Sequence, residues 1–299
     1  MSHPNLPEPT SSSDRTPREA TRPASPGLGR SALRADCSQC FALCCTALGF
    51  RRSADFPVDK PAGTPCLNLA DDFSCTIHEA LRPRGFRGCT VFDCFGAGQR
   101  VSRQVFEGTS WRDAPETSRE MFSVFAVVRQ LHEMLWLLAE ARDRATTVDS
   151  ADEATDLAEL IDRLLVGTRS EILGVDVEEL RGRVRLLLTA VSEEARAGYL
   201  AGHVDDAAGD LHPAADLVGR DLRSRSLCGA DLGGALVIAA DLRGCDLTGV
   251  DLLGADLRDA RVHGADLAGA LFLTQAQVAA AQGDAETALP VDLDRPSHW

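Results

Sequence analysis

The sequence predicts a multidomain chain: a cysteine-rich metal-binding module, an α-helical middle, and a solenoid of five-residue repeats with a C-terminal capping helix. Three observations carry this reading. Eight of the ten cysteines fall between Cys37 and Cys94. Apolar residues then recur at spacings of three and four from about residue 116 to residue 200. From Ala215 onward an apolar residue returns two places later and at every fifth position after that. A chain of 299 residues has room for several cores. Shifts in composition place the expected boundaries at 1–34 (disordered leader), 35–109 (cysteine-rich domain), 110–210 (helical domain), 211–273 (repeats) and 274–299 (capping helix and tail).

The leader is rich in Ser, Pro, Thr and Arg and poor in core-forming residues, so it is expected to stay solvated. It lacks the apolar run of a secretory signal. No stretch of about 18 apolar residues follows it, so no membrane span is expected and the protein reads as cytoplasmic. The net charge is −14, and residues 110–210 carry about −10 of it. Binding to phosphate backbones requires basic surface, which excludes nucleic acid as a partner. Arginine is abundant while Lys60 is the only lysine, a bias that fits a GC-rich bacterial genome.

The first cysteine group reads Cys37-x2-Cys40-x3-Cys44-Cys45, and the second collects Cys66, Cys75, Cys89 and Cys94. Thiols packed this closely form disulfides, bind metal or do redox chemistry, and a reducing cytosol favours metal. The module is punctuated by Pro57, Pro61, Gly63, Pro65, Pro83 and Gly85 and has few periodic runs. Metal would therefore supply much of its folding energy. If residues 37–45 are helical, about 100° per residue puts Cys37, Cys40 and Cys44 on one face and turns Cys45 away. Three thiolates plus one from elsewhere complete a four-thiolate zinc site or hold an iron–sulfur cluster. Cys45 would then serve a second site with part of Cys66, Cys75, His78, Cys89 and Cys94. Eight thiols suffice for two sites, or for one site plus a redox pair, and spacing does not choose between them. The nearby Arg82, Arg84 and Arg87 either lower thiolate pKa values or form a solvated surface.

These residues, continued by Cys75-Thr76-Ile77-His78, Arg82-Pro83, Cys89 and Phe92-Asp93-Cys94, resemble the CxxCxxCC family of zinc- or iron-chelating bacterial domains. Three departures stand out: the gap of three before the cysteine pair, His78 where a tyrosine is usual, and extra residues before Cys89. The resemblance implies metal binding by Cys37, Cys40, Cys44, Cys45, Cys66, Cys75, Cys89 and Cys94, with His78 as a further candidate. Some proteins that share the motif, such as flagellin lysine methylases, are enzymes.

The helical middle is expected as three amphipathic helices, from Glu116 to about Arg144, Asp156–Leu173 and Val177–Leu200. Phe122, Phe125, Val128, Leu131, Leu135 and Leu138 mark the buried stripe of the first. His132 lies on that helix without a partner ligand three or four residues away, so it reads as a surface or partly buried histidine.

In the repeat region every fifth residue from Leu217 to Phe272 is apolar, twelve in all. The residue two places before each is mostly small, and the one between is Asp in eight of the twelve units. A strict repeat implies stacked units that share a continuous core. The pattern resembles the Ala-(Asp/Asn)-Leu-x-x unit of the pentapeptide-repeat family. That resemblance implies a right-handed quadrilateral β-helix of about three coils, roughly 14 Å tall at the spacing of paired strands. Arg220 and Arg225 occupy small-residue positions, so the first coil is expected to be irregular and to pack on the helices. Cys245 falls in an inward slot and Cys228 at a corner. Thr274-Gln275-Ala276-Gln277 reads as a capping box that starts a short helix over the open end.

The expected function is a non-enzymatic scaffold or metal- and redox-responsive protein-interaction module that binds zinc, iron or an iron–sulfur cluster. The alternative is an iron–sulfur or zinc-dependent enzyme of unknown substrate. No phosphate loop, Ser-His-Asp order or His-Glu-x-x-His stretch supports the latter. DNA mimicry is disfavoured, because three coils at about −3 are short and weakly acidic. A protein partner is expected, with its identity open.

Overall fold

The computed structural model describes residues 29–200 and 209–299. The leader expected for 1–34 therefore lies outside the described residues as far as residue 28. Residues Arg30–Leu33, at its end, form a 3-10 turn with Leu33 buried. Arg30 there reaches the Glu140 carboxylate (2.7 Å) and the Trp136 carbonyl (3.2 Å).

Eight α-helices are the regular secondary structure of the described residues: α1 (Leu43–Ala47), α2 (Arg87–Thr90), α3 (Ala97–Arg100), α4 (Ser118–Arg144), α5 (Val148–Leu165), α6 (Arg169–Leu173), α7 (Val177–Leu200) and α8 (Gln275–Ala280). The fold class needs correcting on one point. No strand or sheet occurs among the described residues, so the expected right-handed β-helix is not seen. Residues 216–288 are instead a pile of tight turns joined by isolated parallel bridges, mostly 20 residues apart, such as Asp216↔Leu236 and Asp241↔Arg261.

The physical reason lies in the corners. Left-handed backbone recurs at five-residue intervals, at Ala214, Gly219, Gly229, Gly234, Ala239, Gly244, Gly249, Gly254, Asp259 and Gly264. Each straight side is then too short for a strand of ordinary length, which needs three residues or more. The register is held by pairs of backbone bonds such as Leu217 N–H to the Leu236 carbonyl and Leu236 N–H to the Ala215 carbonyl, both 2.9 Å.

The repeat's aspartates have a structural role there. All eight, from Asp216 to Asp266, accept the backbone N–H two residues on, at 2.7–3.3 Å. A short carboxylate at this position satisfies an amide that the turn would otherwise leave unpaired. The apolar series fills the interior: Leu217, Leu222, Leu227, Leu232, Val237, Leu242, Leu247, Leu252, Leu257, Val262, Leu267 and Phe272 are each at most 3% exposed. Arg220 and Arg225 keep the first turn in register by meeting Asp210 at 2.7 and 2.9 Å. Beyond the last repeat, Gln282 and Ala288 continue the bridging onto Arg261 and Asp266. Thr274 and Gln277 form the capping box of α8.

The helices pack around α4, whose residues Met121, Val124, Phe125, Val128, Leu131 and Leu138 are buried. By length and composition alone, residues 115–144 could cross a bilayer, contrary to the expectation that no such stretch exists. Yet 56% of the most apolar part is buried inside the protein, against α5 and α7 among others. That is the setting of a core helix. The expected helix Asp156–Leu173 is two helices, because Thr168 restarts the chain with a reciprocal cap to Glu171.

α7 docks on one side of the repeats. Ser192 Oγ donates to Asp251, and Arg196 reaches Asp231 at 2.9 Å. Tyr199 lies over Gly229 and Gly249, where a Cβ would come within 2.6 and 2.5 Å of it.

Candidate thiol sites

Residues 37–45 are not one helix, so the condition for the one-face arrangement is not met. Cys37–Gln39 is a 3-10 turn capped by Asp36, whose carboxylate accepts the Ser38 N–H (3.0 Å). Ala42 is left-handed, and the chain re-enters helix only at Leu43. Burial of Phe41 and Leu43 fixes this kink. Phe41 is held at both ends of its peptide, its N–H by Ser102 Oγ (3.0 Å) and its carbonyl by Trp111 Nε1 (2.7 Å). The kink folds Cys40 back on α1, where its sulfur accepts the Leu43 N–H (3.4 Å).

Cys94 arrives from the other direction. Its carbonyl accepts the Ala97 N–H (2.9 Å) at the start of α3, and Gly96 supplies the left-handed turn there. Two residues on, Gly98 has no side chain where the sulfurs gather. A Cβ on it would sit 2.6 Å from Cys40 Sγ and 3.8 Å from Cys94 Sγ. Cys37, Cys40, Cys44 and Cys94 line one cavity of about 20 Å³ with Asp36, Gly98, Gln99 and Phe125. That is room for one water-sized occupant.

The other four cysteines lie near enough to one another for their charges to interact. The Cys66 N–H donates to the Cys45 carbonyl (3.0 Å). A tight reversal through Phe73 pairs Leu69 with Cys75 and returns Cys75 towards Cys66. Cys89 comes from α2, and its charge interacts with those of Cys45, Cys66 and Cys75. The two sets touch where Cys44 Sγ lies 3.9 Å from Cys45 Sγ.

All ten cysteines are free thiols, with Cys37 and Cys89 exposed and Cys245 buried. Burial pushes the Cys40 thiol up to about 11 and Cys89 to about 12. It also raises Cys37 and Cys75, with neighbouring sulfurs adding to it, and Cys94, where Asp93 adds to it. In the central pair, Cys44 keeps its proton and donates to Cys45, which lowers Cys45; the Lys60 charge lowers it further. Thiols held protonated in this way release protons when a cation takes their place. As they stand, no three or more His, Cys, Asp or Glu side chains among the described residues form a group that could hold a metal ion. By their chemistry the donors nevertheless suit a thiophilic metal: four cysteines line one cavity beside a glycine that leaves them space, and four more interact through their charges.

Other expected residues fall elsewhere. His78 is exposed and tied to the thiols through its backbone, whose N–H donates to the Cys75 carbonyl (3.2 Å). Buried His132 donates its Nδ1–H to the Phe95 carbonyl (2.7 Å), and burial pulls its pKa down to about 4. It is therefore neutral at pH 7, which makes Nδ1 the donor. Arg82 and Arg87 have a different role from those expected. They anchor the module to the end of the repeats, Arg82 on the Ala279 carbonyl (2.7 Å), Arg87 on the Ala280 carbonyl (3.2 Å) and on Asp259 (2.9 Å). Sequence reasoning missed Gly98 and Lys60. The signals were a glycine two residues into a short helix and a lone lysine in an arginine-rich chain.

Residues 238–272 match pentapeptide repeats, in eight copies. Over 267 residues, covering 89% of this chain and 95% of the relative, the sequence is 49% identical to the uncharacterized protein YybG of Bacillus subtilis (strain 168). Similarity of that length runs through the cysteine module and the helices as well as the repeats. The chain thus carries pentapeptide repeats and belongs to the same family as the Bacillus subtilis protein YybG.

Proposed function

We propose that this protein is a thiolate metal-binding protein whose repeat stack presents a surface for a protein partner. The observation that carries the reading is the convergence of Cys37, Cys40, Cys44 and Cys94 on one ion-sized cavity beside a side-chain-free Gly98. Those four would hold one zinc ion or iron–sulfur cluster, and Cys45, Cys66, Cys75 and Cys89 a second. Bound metal supplies a crosslink among segments that share little apolar contact. The chain's own residues supply the rest. Asp36 and Ser38 fix the Cys37 turn, Phe41 sets the kink that aims Cys40, and Gly96 aims Cys94.

The metal module and the partner surface are mechanically joined. Arg82 and Arg87 grip the last turns of the stack, and Arg30 links Glu140 to Asp292 (3.1 Å) in the tail. Loss of metal would loosen that grip, the route by which metal or redox state would reach a partner.

Elemental analysis of full-length protein, purified without oxygen or chelators, tests the reading. One or two zinc ions per chain without visible absorbance, or iron with sulfide and a brown colour, supports it. Metal-free protein with eight readily titrated thiols overturns it.

A further inference from the structure

Lys60 is the only lysine of the chain and is 6% exposed. Its ammonium donates to the carbonyls of Thr64 (2.8 Å), Thr46 (3.3 Å) and Pro61 (3.3 Å) and lies 5.5 Å from the centre of the Phe50 ring. Thr46 directly follows Cys45, and Thr64 stands two residues before Cys66. One ammonium therefore joins the two backbone segments that deliver these thiols. The Phe50↔Lys60 bridge and the Phe50–Phe56 stack (4.0 Å) hold the lysine's own backbone in place.

Among the described residues no carboxylate is paired with Lys60. A buried cation is costly unless opposite charge is supplied. Three of the second set, Cys66, Cys45 and Cys89, act on it through their charge, as does the neighbouring Cys44 of the first. Without metal these thiols are protonated and neutral apart from Cys45, which Cys44 and Lys60 lower to about 7. As ligands of a divalent ion, four thiolates leave a net charge of about −2. A lysine placed here is fully matched beside the second state and only in part beside the first, where Cys45 alone carries charge.

We infer that Lys60 is the built-in counterion of a second metal site formed by Cys45, Cys66, Cys75 and Cys89, fixed in position by the backbone that carries two of those ligands. The inference rests on the metal-binding reading above and names a positioning residue for one of its two sites. The three carbonyls suit a compact ammonium with three donors, whereas a guanidinium is planar and forked. Arginine, otherwise abundant in the chain, is a poor substitute at this position.

The test is Zn²⁺ titration of the full-length protein, stripped of metal without oxygen, with a competing chromophoric chelator. Wild type is expected to take two equivalents. Lys60→Met is expected to weaken one of them by about 10–100-fold, the usual effect of losing a group that supports a ligand shell. The other equivalent should be unchanged, and Lys60→Arg should recover only part of the loss.

A second readout does not depend on a variant that folds. Because the chain has a single lysine, amine labelling followed by peptide mapping reports on Lys60 alone. Zn²⁺ should protect it, and stripping should expose it. Two equivalents bound with the same affinity in Lys60→Met, or labelling indifferent to Zn²⁺, overturns the inference and leaves the metal-binding reading intact. Wild type taking one equivalent has the same meaning, while no binding at all removes both.

Discussion

The repeat stack and the cysteine module are both nearly free of long secondary structure, yet they are held by different physics. In the stack every five-residue side buries an apolar side chain, and most sides close with an aspartate-to-amide bond. From residue 51 to residue 94 of the module only Lys60 and Phe86 are buried. Packing at that density cannot offset the entropy of ordering some forty residues, so a chain of this kind usually depends on crosslinks or metal. Irregular backbone is thus stable for two reasons: a repeated core under each turn, or a few strong ligands shared among turns.

The largest expected effect separates the two regions outright. Removing metal with a chelator under reducing conditions should erase hydrogen-exchange protection in residues 37–94 while residues 215–272 keep theirs. Equal loss in both regions would mean that the module and the stack unfold as one unit. Gly98→Ala is a finer cut. Alanine is ordinarily favoured over glycine inside a helix by about 1 kcal/mol, but here its methyl would lie 2.6 Å from Cys40 Sγ. Metal content should fall by one equivalent per chain, with the melting of the repeats unchanged. Leu242→Ala probes the other side of the comparison. Leu242 is 1% exposed and stacks in register between Leu222 and Val262. Its truncation should cost about 2–5 kcal/mol in denaturant unfolding of the stack and leave metal content as it was.

The stack was legible in sequence because its period is the structure: one buried position, one small position and one aspartate per side. What the period could not supply was the length of backbone between corners. Left-handed residues such as Gly244 and Asp259 interrupt each side too soon for strands to form, and the family pattern suggested a sheet where there are only bridges. The helices were legible through their apolar stripes, apart from the break at Thr168. In the module, the sequence singled out eight thiols and turned Cys45 away from the others only if residues 37–45 were helical, a condition that Ala42 breaks. Which cysteines share a cavity depends on Gly98, on Phe41 and on the Phe73 reversal. None of these leaves a spacing to read.

The smallest effect expected comes from the seam where α7 meets the stack. Asp251 is 4% exposed, and burial, assisted by the nearby Asp231, raises its pKa above the ordinary carboxylate value; Ser192, the Leu253 amide and Arg196 oppose the shift. A raised carboxylate binds its proton more tightly in the folded than in the unfolded chain. Stability is then lost as pH climbs from the unfolded value of about 4 through the folded one, and the loss is complete above it. Asp221, Asp241, Asp246 and Asp256 run the opposite way. Asp221, lowered to about 2 by Arg223, contributes stability that is present above about pH 4 and lost as acid approaches 2. Asparagine at 251 keeps an oxygen for the Leu253 amide, bonded at 2.7 Å, and has no charge to bury. Asp251→Asn should therefore melt slightly higher than wild type at pH 7, with the difference vanishing near pH 4. A lower melting point at pH 7 would instead make the Ser192 hydrogen bond to the carboxylate and the charge of nearby Arg196 dominant at this seam, and α7 would be held to the stack by polar contacts rather than by burial.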